Sequence, residues 1–184
     1  MGLRRAPLPL DEPRLNELAV RYVGRFATTR AKLRSYLQRK IRERGWAEAP
    51  LPDLELITDR FAELGYIDDA GFALAKSRAL TGRGYGKRRV VEALRIAGVD
   101  DEDGESARHH ADAEAVTAAL RFAERRRIGP FSEARSSDPR DREKALAAMI
   151  RAGHPFSLSK LILALTPGEQ IDREGLAEQV ATSA

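Results

Sequence analysis

Basic side chains gathered in two stretches are the residues whose type and spacing best suit a chemical role. Between Arg30 and Arg44 the chain has seven Lys or Arg and one acid, and between Arg78 and Arg95 it has six and one. Clustered cations of this kind neutralise the phosphates of a nucleic acid or the carboxylates of an acidic protein. The sequence therefore predicts contact with a polyanion, and an ordinary solvated helical surface is the alternative.

Ten side chains in these stretches are the predicted contacts. The apolar positions of both predicted helices are free of charge, so the basic residues line the outer faces. The ring of Tyr85 offers a surface on which a base can stack. Few Asn or Gln lie on these faces, which disfavours reading of base sequence. The contact candidates are Arg30, Lys32, Arg34, Arg39, Lys40, Tyr85, Lys87, Arg88, Arg89 and Arg95.

A glycine-rich stretch over residues 82–86 precedes Lys87 and invites comparison with a phosphate-binding loop. Such a loop needs a glycine five residues before its Gly-Lys pair, and a Ser or Thr after the lysine to hold magnesium. Thr81 and Arg88 occupy these two positions. We therefore interpret the stretch as a flexible turn that presents the start of a basic helix.

The remaining candidates for catalysis or metal binding have simpler interpretations. The carboxylate pair Asp68–Asp69 stands directly before a predicted helix, which favours a helix cap over acid–base chemistry. His109 and His110 are adjacent in sequence, so they point to different faces of a helix. The chain has no cysteine, and no metal-ligand spacing accompanies the histidines. We therefore predict no catalytic residue, no metal, no cofactor and no enzyme activity.

Helices are the elements that must position these residues. Apolar residues from Leu15 to Phe26 recur at i, i+3 and i+4, and similar stripes continue to Leu165. No segment shows the sustained period-2 alternation of a strand, so the sequence predicts an all-α fold. We expect helix caps at Thr28 or Thr29, at Asp53, and at Asp68 or Asp69. The acidic residues 100–105 should lead into one helical region that continues to Ala123. Residues 132–138 should form a mobile loop, and the chain after Glu169 should form a last turn or a frayed end.

An internal repeat organises the helices. Three predicted helices end in apolar-x-x-x-Gly at Gly45, Gly98 and Gly153, and these glycines lie 53 and 55 residues apart. A lone three-helix unit buries little apolar surface, so we expect three tandem units stacked in a curved array. The predicted units are an N-terminal extension over 1–14, repeats over 15–67, 68–114 and 115–167, a polar insertion near 132–141, and a C-terminal tail over 168–184.

Composition sets the broad class of the protein. The chain has 184 residues and a formal net charge of +4. The basic excess lies in residues 1–98, which carry a net charge of +8, whereas residues 99–184 carry −4. The longest apolar run is far shorter than the roughly 20 residues that a membrane-spanning helix needs. We therefore expect a cytoplasmic, monomeric protein that does not bind a membrane, and the missing cysteines fit a reducing compartment.

Several motifs resemble the RecX family of bacterial regulators of the RecA recombinase. Its most specific motif, Leu-Gly-apolar-apolar-Asp-Asp-x-x-Phe-Ala, is similar to residues 64–73. Residues 22–37 resemble the opening of the family, and residues 84–99 resemble its next motif. Residues 150–165 resemble its C-terminal ending, so the similarity spans roughly 15–165. The chain departs from the family at Gly71, at Pro50 and Pro52, near 132–141, and at His154-Pro155.

The resemblance implies three tandem three-helix repeats in an elongated, curved molecule. It also implies a protein that binds in the helical groove of the RecA filament on single-stranded DNA. Such binding mainly inhibits strand exchange, ATP hydrolysis and the coprotease activity of RecA, in recombination, DNA repair and the SOS response. The implied partners are the RecA filament, single-stranded DNA through RecA, and weakly bound DNA directly. A helical DNA-binding regulator independent of RecA, and a helical scaffold for an acidic protein, are the alternatives.

Overall fold

The computed structural model describes residues 8–134 and 138–182, and these two ranges are almost entirely helical. Within the described residues, Leu10 and Trp46 form an isolated parallel β-bridge. The helices of the described residues are α1 (Glu12–Val23), α2 (Arg30–Arg44), α3 (Leu54–Glu63), α4 (Asp69–Gly82), α5 (Lys87–Ala97), α6 (Glu105–Ala113), α7 (Ala115–Arg126), α8 (Pro139–Arg151), α9 (Phe156–Ala164) and α10 (Arg173–Thr182), and a 3-10 turn spans Gly129–Phe131.

Side-chain caps fix where several helices begin. The Thr29 hydroxyl accepts from the backbone N–H of Lys32 at the start of α2. The carboxylates of Asp53 and Asp68 accept from backbone N–H groups in the first turns of α3 and α4. These contacts satisfy donors that have no partner within the helix. They confirm the caps predicted at these three positions, and Asp68 is therefore a cap.

The helices form three repeats, α1–α3, α4–α6 and α7–α9, which confirms the predicted all-α repeat fold. The middle helix of each repeat is followed by one of the three equivalent glycines. Gly45, Gly98 and Gly153 have φ angles of 82°, 68° and 97°. This left-handed backbone conformation favours glycine and ends a helix sharply.

Each repeat has its own hydrophobic core. Leu15, Leu33, Leu37 and Phe61 are buried together in the first repeat, where Leu10 joins them. The second core is small and contains two large side chains, Val90 and Leu94, with three alanines. The third core is larger, and its buried members are Ala119, Leu120, Phe122, Ala123, Met149, Ala152, Leu158, Ile162 and Leu176. The second repeat therefore has the smallest core of the three.

Several boundaries differ from those expected from the sequence. Helix α1 ends at Val23, so Phe26 lies beyond it in the connection to α2. The single helical region expected up to Ala123 is two helices, α6 and α7, separated by Glu114. The last residues of the expected insertion form the first turn of α8, because Asp138 caps it and Pro139 occupies its first position. Residues 135–137 of that insertion lie outside the described residues.

The segments at the two ends pack onto the repeats. Leu10 is buried, its N–H donates to the carbonyl of Gly45, and its carbonyl accepts from Ala47. The expected tail contains α10, whose Leu176 is buried in the third core. A helix that covers the open end of a repeat array shields apolar surface that no further repeat covers. Helix α10 therefore closes the third repeat.

Candidate nucleic-acid interface

An open groove of about 560 Å³ lies where repeat 1 meets repeat 2, between α2 and the end of α5. We call it the α2–α5 groove. Three of the ten sequence-predicted contacts, Lys32, Arg39 and Arg95, line it, and its lining contains no carboxylate. The groove has the size of a ligand site and a cationic wall. Its other lining residues are Tyr22, Ala31, Ser35, Tyr36, Ile96, Ala97 and Gly98.

Two of the three cations have no carboxylate partner within the described residues. Arg95 is exposed on the last turn of α5. Lys32 lies above the ring of Phe72, with its Nζ 4.4 Å from the ring centroid. Burial and the nearby charge of Lys76 lower the pKa of Lys32. Burial, the larger cause, and the charge of Lys76 both disfavour the charged amine, which an anion beside Lys32 would stabilise.

Two aromatic rings that the sequence prediction missed line the groove, and a third packs against one of them. Tyr22 and Tyr36 stack with their centroids 4.3 Å apart and their planes 18° apart. Phe26 leans on Tyr22 at 5.4 Å, is 49% exposed, and carries the guanidinium of Arg25 over its ring. The four-residue spacing of Tyr22 and Phe26 could have indicated an aromatic pair. The apolar periodicity instead places both residues in the core stripe of the first helix.

Arg30 lies outside the groove, in the joint between repeats 1 and 2. Its guanidinium reaches Asp69 at 3.2 Å and Asp103 at 2.7 Å, with Asp59 and Asp100 at 3.8 and 3.7 Å. Its backbone N–H also donates to Asp69. The hydrogen bond to Asp69 is the main cause that raises the pKa of Arg30. These carboxylates neutralise Arg30, which makes it a structural cation rather than a free anion-binding one.

Four further predicted contacts carry ion pairs at the protein surface. Arg34 contacts Glu55 of α3, and Lys87 contacts Asp112 of α6, both at 2.6 Å. The equivalent basic positions of two repeats thus hold the middle helix to the third helix. The other pairs are Lys40 with Glu43 at 2.6 Å and Arg89 with Glu92 at 2.7 Å. Such exposed pairs contribute at most about 1 kcal/mol, so these cations can exchange partners.

The 87–89 cluster and Tyr85 lie at the other end of α5. Along a helix, Lys87 and Arg95 are separated by about 12 Å of axis, because each residue rises about 1.5 Å. Arg88 is exposed and has no carboxylate partner in the described part of the chain, while its backbone N–H approaches the Gly153 carbonyl at 3.3 Å. Tyr85 is half-buried against the third core. The candidates on α5 therefore fall into two groups, with Lys87, Arg88 and Arg89 at its start and Arg95 at its end.

The glycine-rich stretch before α5 forms the joint between repeats 2 and 3. The N–H of Gly86 donates to the Ala152 carbonyl at 2.9 Å. A Cβ atom on Gly86 would lie 2.4 Å from the Gly153 carbonyl oxygen, and one on Gly84 would lie 2.9 Å from the Phe122 nitrogen. Only glycine lets the two backbones approach this closely. This packing accounts for the glycines without a phosphate loop.

His154 is buried in this second joint. Its Nε2 donates to the Gly84 carbonyl at 3.0 Å, and its Nδ1 has no partner in the structure as described. Burial lowers the pKa of His154 below its ordinary value of about 6.5, although the Gly84 hydrogen bond acts in the opposite direction. Charging this ring would place a second N–H and a positive charge where no acceptor lies.

We expect the free energy of unfolding to fall as the pH drops below about 6.5, because the unfolded chain then binds a proton that folded His154 resists. The His154→Gln variant keeps a donor for the Gly84 carbonyl but does not titrate. Thermal unfolding between about pH 7.5 and about pH 5.5 should therefore show a smaller loss of stability in His154→Gln than in the natural chain. Parallel losses in the two proteins would contradict this role of His154.

No helix in residues 8–134 and 138–182 is long and apolar enough to cross a membrane. No group of three or more His, Cys, Asp or Glu side chains in those ranges is arranged to hold a metal ion. The carboxylates around Arg30 contact a guanidinium instead.

Comparisons with known proteins point to one family. No protein-family model matches the chain. The regulatory protein RecX of Mycobacterium sp. strain JLS is 33% identical over 157 residues, which cover 83% of this chain and 84% of that protein. RecX of Thermobifida fusca is 30% identical and covers 89% and 82%. RecX of Myxococcus xanthus is 28% identical and covers 88% and 90%.

A solved structure shares the fold. The crystal structure of RecX from Lactobacillus salivarius matches with a TM-score of 0.58 and 18% sequence identity, over 82% of this chain and 92% of that one. The sequence relatives are similar to this chain over more than four fifths of its length and of their own. The chain belongs to the RecX family of regulatory proteins.

Proposed function

We propose that this protein binds the RecA filament on single-stranded DNA in the cytoplasm and modulates its activity, mainly by inhibition. The affected activities are strand exchange, ATP hydrolysis and the coprotease function, and hence recombination, DNA repair and the SOS response. The observation that carries this proposal is similarity to regulatory proteins named RecX over more than four fifths of the chain. The protein acts by binding and has no catalytic role of its own.

The repeat architecture supports a binding mechanism. Three repeats with separate cores form an extended set of surfaces, as in other helical-repeat proteins. The cationic α2–α5 groove and the cluster over residues 87–89 lie at the two ends of α5. A protein with two separated cationic sites can contact two places on a repeating polymer at once. Bridging of neighbouring filament subunits is therefore the mechanism that we propose.

Two cation groups supply the proposed filament contacts. Lys32, Arg39 and Arg95 form the first group, and Lys87, Arg88 and Arg89 form the second. Arg34 and Lys40 lie beside the first group and contribute charge through exchangeable pairs. The two sequence candidates in the joints, Arg30 and Tyr85, hold the repeats in position.

A strand-exchange assay tests this function. Added in stoichiometric amount to RecA of the same organism, the protein should slow the exchange of a single strand into a homologous duplex. A gel shift with duplex DNA alone, measured across salt, separates the alternative of a RecA-independent regulator. Tight, sequence-specific duplex binding that persists at moderate salt, with unchanged strand exchange, would support that alternative and contradict the proposal.

A further inference from the structure

We propose that repeat 3 has a binding site for a small apolar carboxylate, in a pocket of about 190 Å³ between the end of α7, the 3-10 turn, α8 and the end of α9. We call it the repeat-3 pocket. The apolar part of the ligand enters the pocket, and the guanidinium groups of Arg127 and Arg142 bind its carboxylate at the exposed edge. This site goes beyond the proposed function, because residues within 127–167 line it and none of the proposed filament contacts does.

The three repeats differ in the partner of the basic residue that lies eleven positions before the glycine after the middle helix. In repeat 1, Arg34 contacts Glu55 of α3. In repeat 2, Lys87 contacts Asp112 of α6. Arg142 is the equivalent residue of repeat 3, but α9 contains no Asp or Glu, and no carboxylate of the described residues pairs with Arg142. Repeat 3 therefore keeps the cation, and the carboxylate of a ligand takes the place of the missing partner.

The body of the repeat-3 pocket suits a small hydrocarbon group. An apolar cavity of about 150 Å³ holds a benzene ring, so a pocket of about 190 Å³ takes one ring or a short branched chain. Pockets that take drug-sized ligands are larger, about 300–1,000 Å³. The aliphatic residues that line this pocket are Ile128, Ala134, Ala145, Leu163, Leu165 and Pro167.

Backbone contacts fix the walls of the pocket. The N–H of Gly168 donates to the Pro130 carbonyl of the 3-10 turn at 3.0 Å. A Cβ on Gly129 would lie 2.7 Å from the Ile162 carbonyl oxygen, so the turn lies directly against α9. A ligand that enters a pocket with fixed walls loses little binding energy to the ordering of the protein.

Arg127 has a strained backbone at the edge of the pocket. Its φ angle is 51°, whereas every other positive φ angle in the described residues belongs to a glycine. This left-handed conformation costs an L residue energy that glycine avoids, and such an outlier points to a role for the side chain. Arg127 contacts Glu133 at only 3.8 Å, and both side chains are more than three quarters exposed. The guanidinium can therefore exchange this partner for a ligand.

The charges around the pocket favour one carboxylate over a phosphate. The two arginines give the edge a positive charge, and Asp141, which also lines the pocket, contacts Lys144 at 3.4 Å. A doubly charged phosphate meets more repulsion from Asp141 than a carboxylate with a single charge does. The protein itself places a carboxylate against the equivalent cations of repeats 1 and 2.

A ligand-observed NMR titration at neutral pH tests the site with hydrocinnamate, a phenyl ring joined to a carboxylate by a short chain. The natural protein should bind it with a Kd of about 1 mM or tighter, and should bind its neutral amide about tenfold more weakly. Arg142→Gln should weaken hydrocinnamate binding by about tenfold, because a charged hydrogen bond is lost. The matched control Arg151→Gln removes another exposed cation of α8, outside the lining, and should bind like the natural protein.

The apolar part of the site has its own matched pair of variants. Ala145→Leu fills the pocket with a larger side chain and should weaken hydrocinnamate binding by about tenfold or more. Ala147→Leu adds the same side chain at a partly buried position of α8 outside the lining, and should leave binding unchanged. Circular dichroism and thermal unfolding establish that both variants are folded. Equal binding by Ala145→Leu and the natural protein would overturn the pocket as the site.

Arg127→Gly separates a binding role from a structural one. Glycine adopts a φ angle of 51° without strain, so the thermal midpoint of this variant should rise. Hydrocinnamate binding should weaken by about tenfold, because one of the two guanidinium groups is lost. A lower midpoint would overturn the strain, and unchanged binding would overturn the ligand contact of Arg127.

Three outcomes decide the inference as a whole. Hydrocinnamate binding that is weakened in Arg142→Gln and Ala145→Leu, and retained in the two control variants, supports the site. Tighter binding of phenyl phosphate than of hydrocinnamate, weakened in the same variants, overturns the carboxylate in favour of a phosphate ligand. No detectable binding of either compound by the natural protein overturns the site, while the proposed function, which uses other residues, stands.

Discussion

Replacing Gly153 with Ala should lower the free energy of unfolding by about 2–5 kcal/mol, measured by urea unfolding followed by circular dichroism. Two effects add at this residue. Its φ angle of 97° is one that an L side chain adopts only with strain. A Cβ there would also lie 2.7 Å from the backbone nitrogen of Arg89 and 3.0 Å from the Gly86 carbonyl oxygen. The second effect pushes apart the backbones that join repeats 2 and 3.

Gly65 provides the matched control for this substitution. Its φ angle is 75°, and a Cβ at that position meets no atom within 4 Å. Gly65→Ala should therefore incur only the conformational cost, about 1–2 kcal/mol. The difference between the two variants reports the close approach of the repeats. If Gly153→Ala costs no more than Gly65→Ala, the two backbones do not pack as described.

Replacing Asp69 with Ala should lower the free energy of unfolding by about 2–3 kcal/mol, because it leaves the Arg30 backbone N–H and guanidinium short of an acceptor. The Asp69 side chain is only 5% exposed and accepts both groups at 3.0 and 3.2 Å. Arg30 itself is 38% exposed, and water at its outer edge keeps the loss below that of a fully buried pair. The joint between repeats 1 and 2 should weaken with it.

Asp59→Ala is the control, because it removes another carboxylate that lies near the Arg30 guanidinium. Asp59 is 57% exposed and lies 3.8 Å from the guanidinium, so its loss should change the unfolding free energy by no more than about 0.5 kcal/mol. The urea midpoints of the two variants give the comparison. Equal losses would mean that the net charge around Arg30, rather than the buried Asp69 contact, holds the joint.

Local patterns were sufficient to predict the architecture of the protein. A helix cap depends on a residue and its neighbours three positions on, so Thr29, Asp53 and Asp68 could be assigned without tertiary information. The glycines that end α2, α5 and α8 likewise reflect the backbone of a single residue. Their spacing of 53 and 55 residues identified the three middle helices.

The joints between repeats could not be predicted in the same way. Two carboxylate partners of Arg30 lie 39 and 73 residues further along the chain. Helical periodicity predicts which face of its helix a residue occupies, but it does not predict which distant carboxylate lies opposite that face. For this reason Arg30 looked like a free cation in sequence. The sequence predicts that the ring of Tyr85 is available for base stacking, whereas in the structure the ring packs against the core of repeat 3.

The candidate groove was predicted in part. The sequence indicated cations on the outer faces of two equivalent helices, and Lys32, Arg39 and Arg95 do line one groove. The sequence did not indicate that this groove forms beside the C-terminal end of α5. Nor did it indicate that the cluster over residues 87–89 lies at the opposite end of the same helix. The exposed position of Phe26 was missed because α1 ends three residues earlier than its apolar stripe suggests.

The rate of ATP hydrolysis by RecA on single-stranded DNA tests the central claim most directly. RecA of the same organism is incubated with single-stranded DNA and ATP, and the protein is added at increasing ratios up to stoichiometric amounts. We predict that the rate falls with each addition, and that the Lys32→Gln/Arg95→Gln variant inhibits less than a control, Arg151→Gln/Lys160→Gln, which removes two exposed cations of repeat 3. A rate that stays constant up to a stoichiometric amount of the natural protein would contradict the proposal that it regulates the RecA filament.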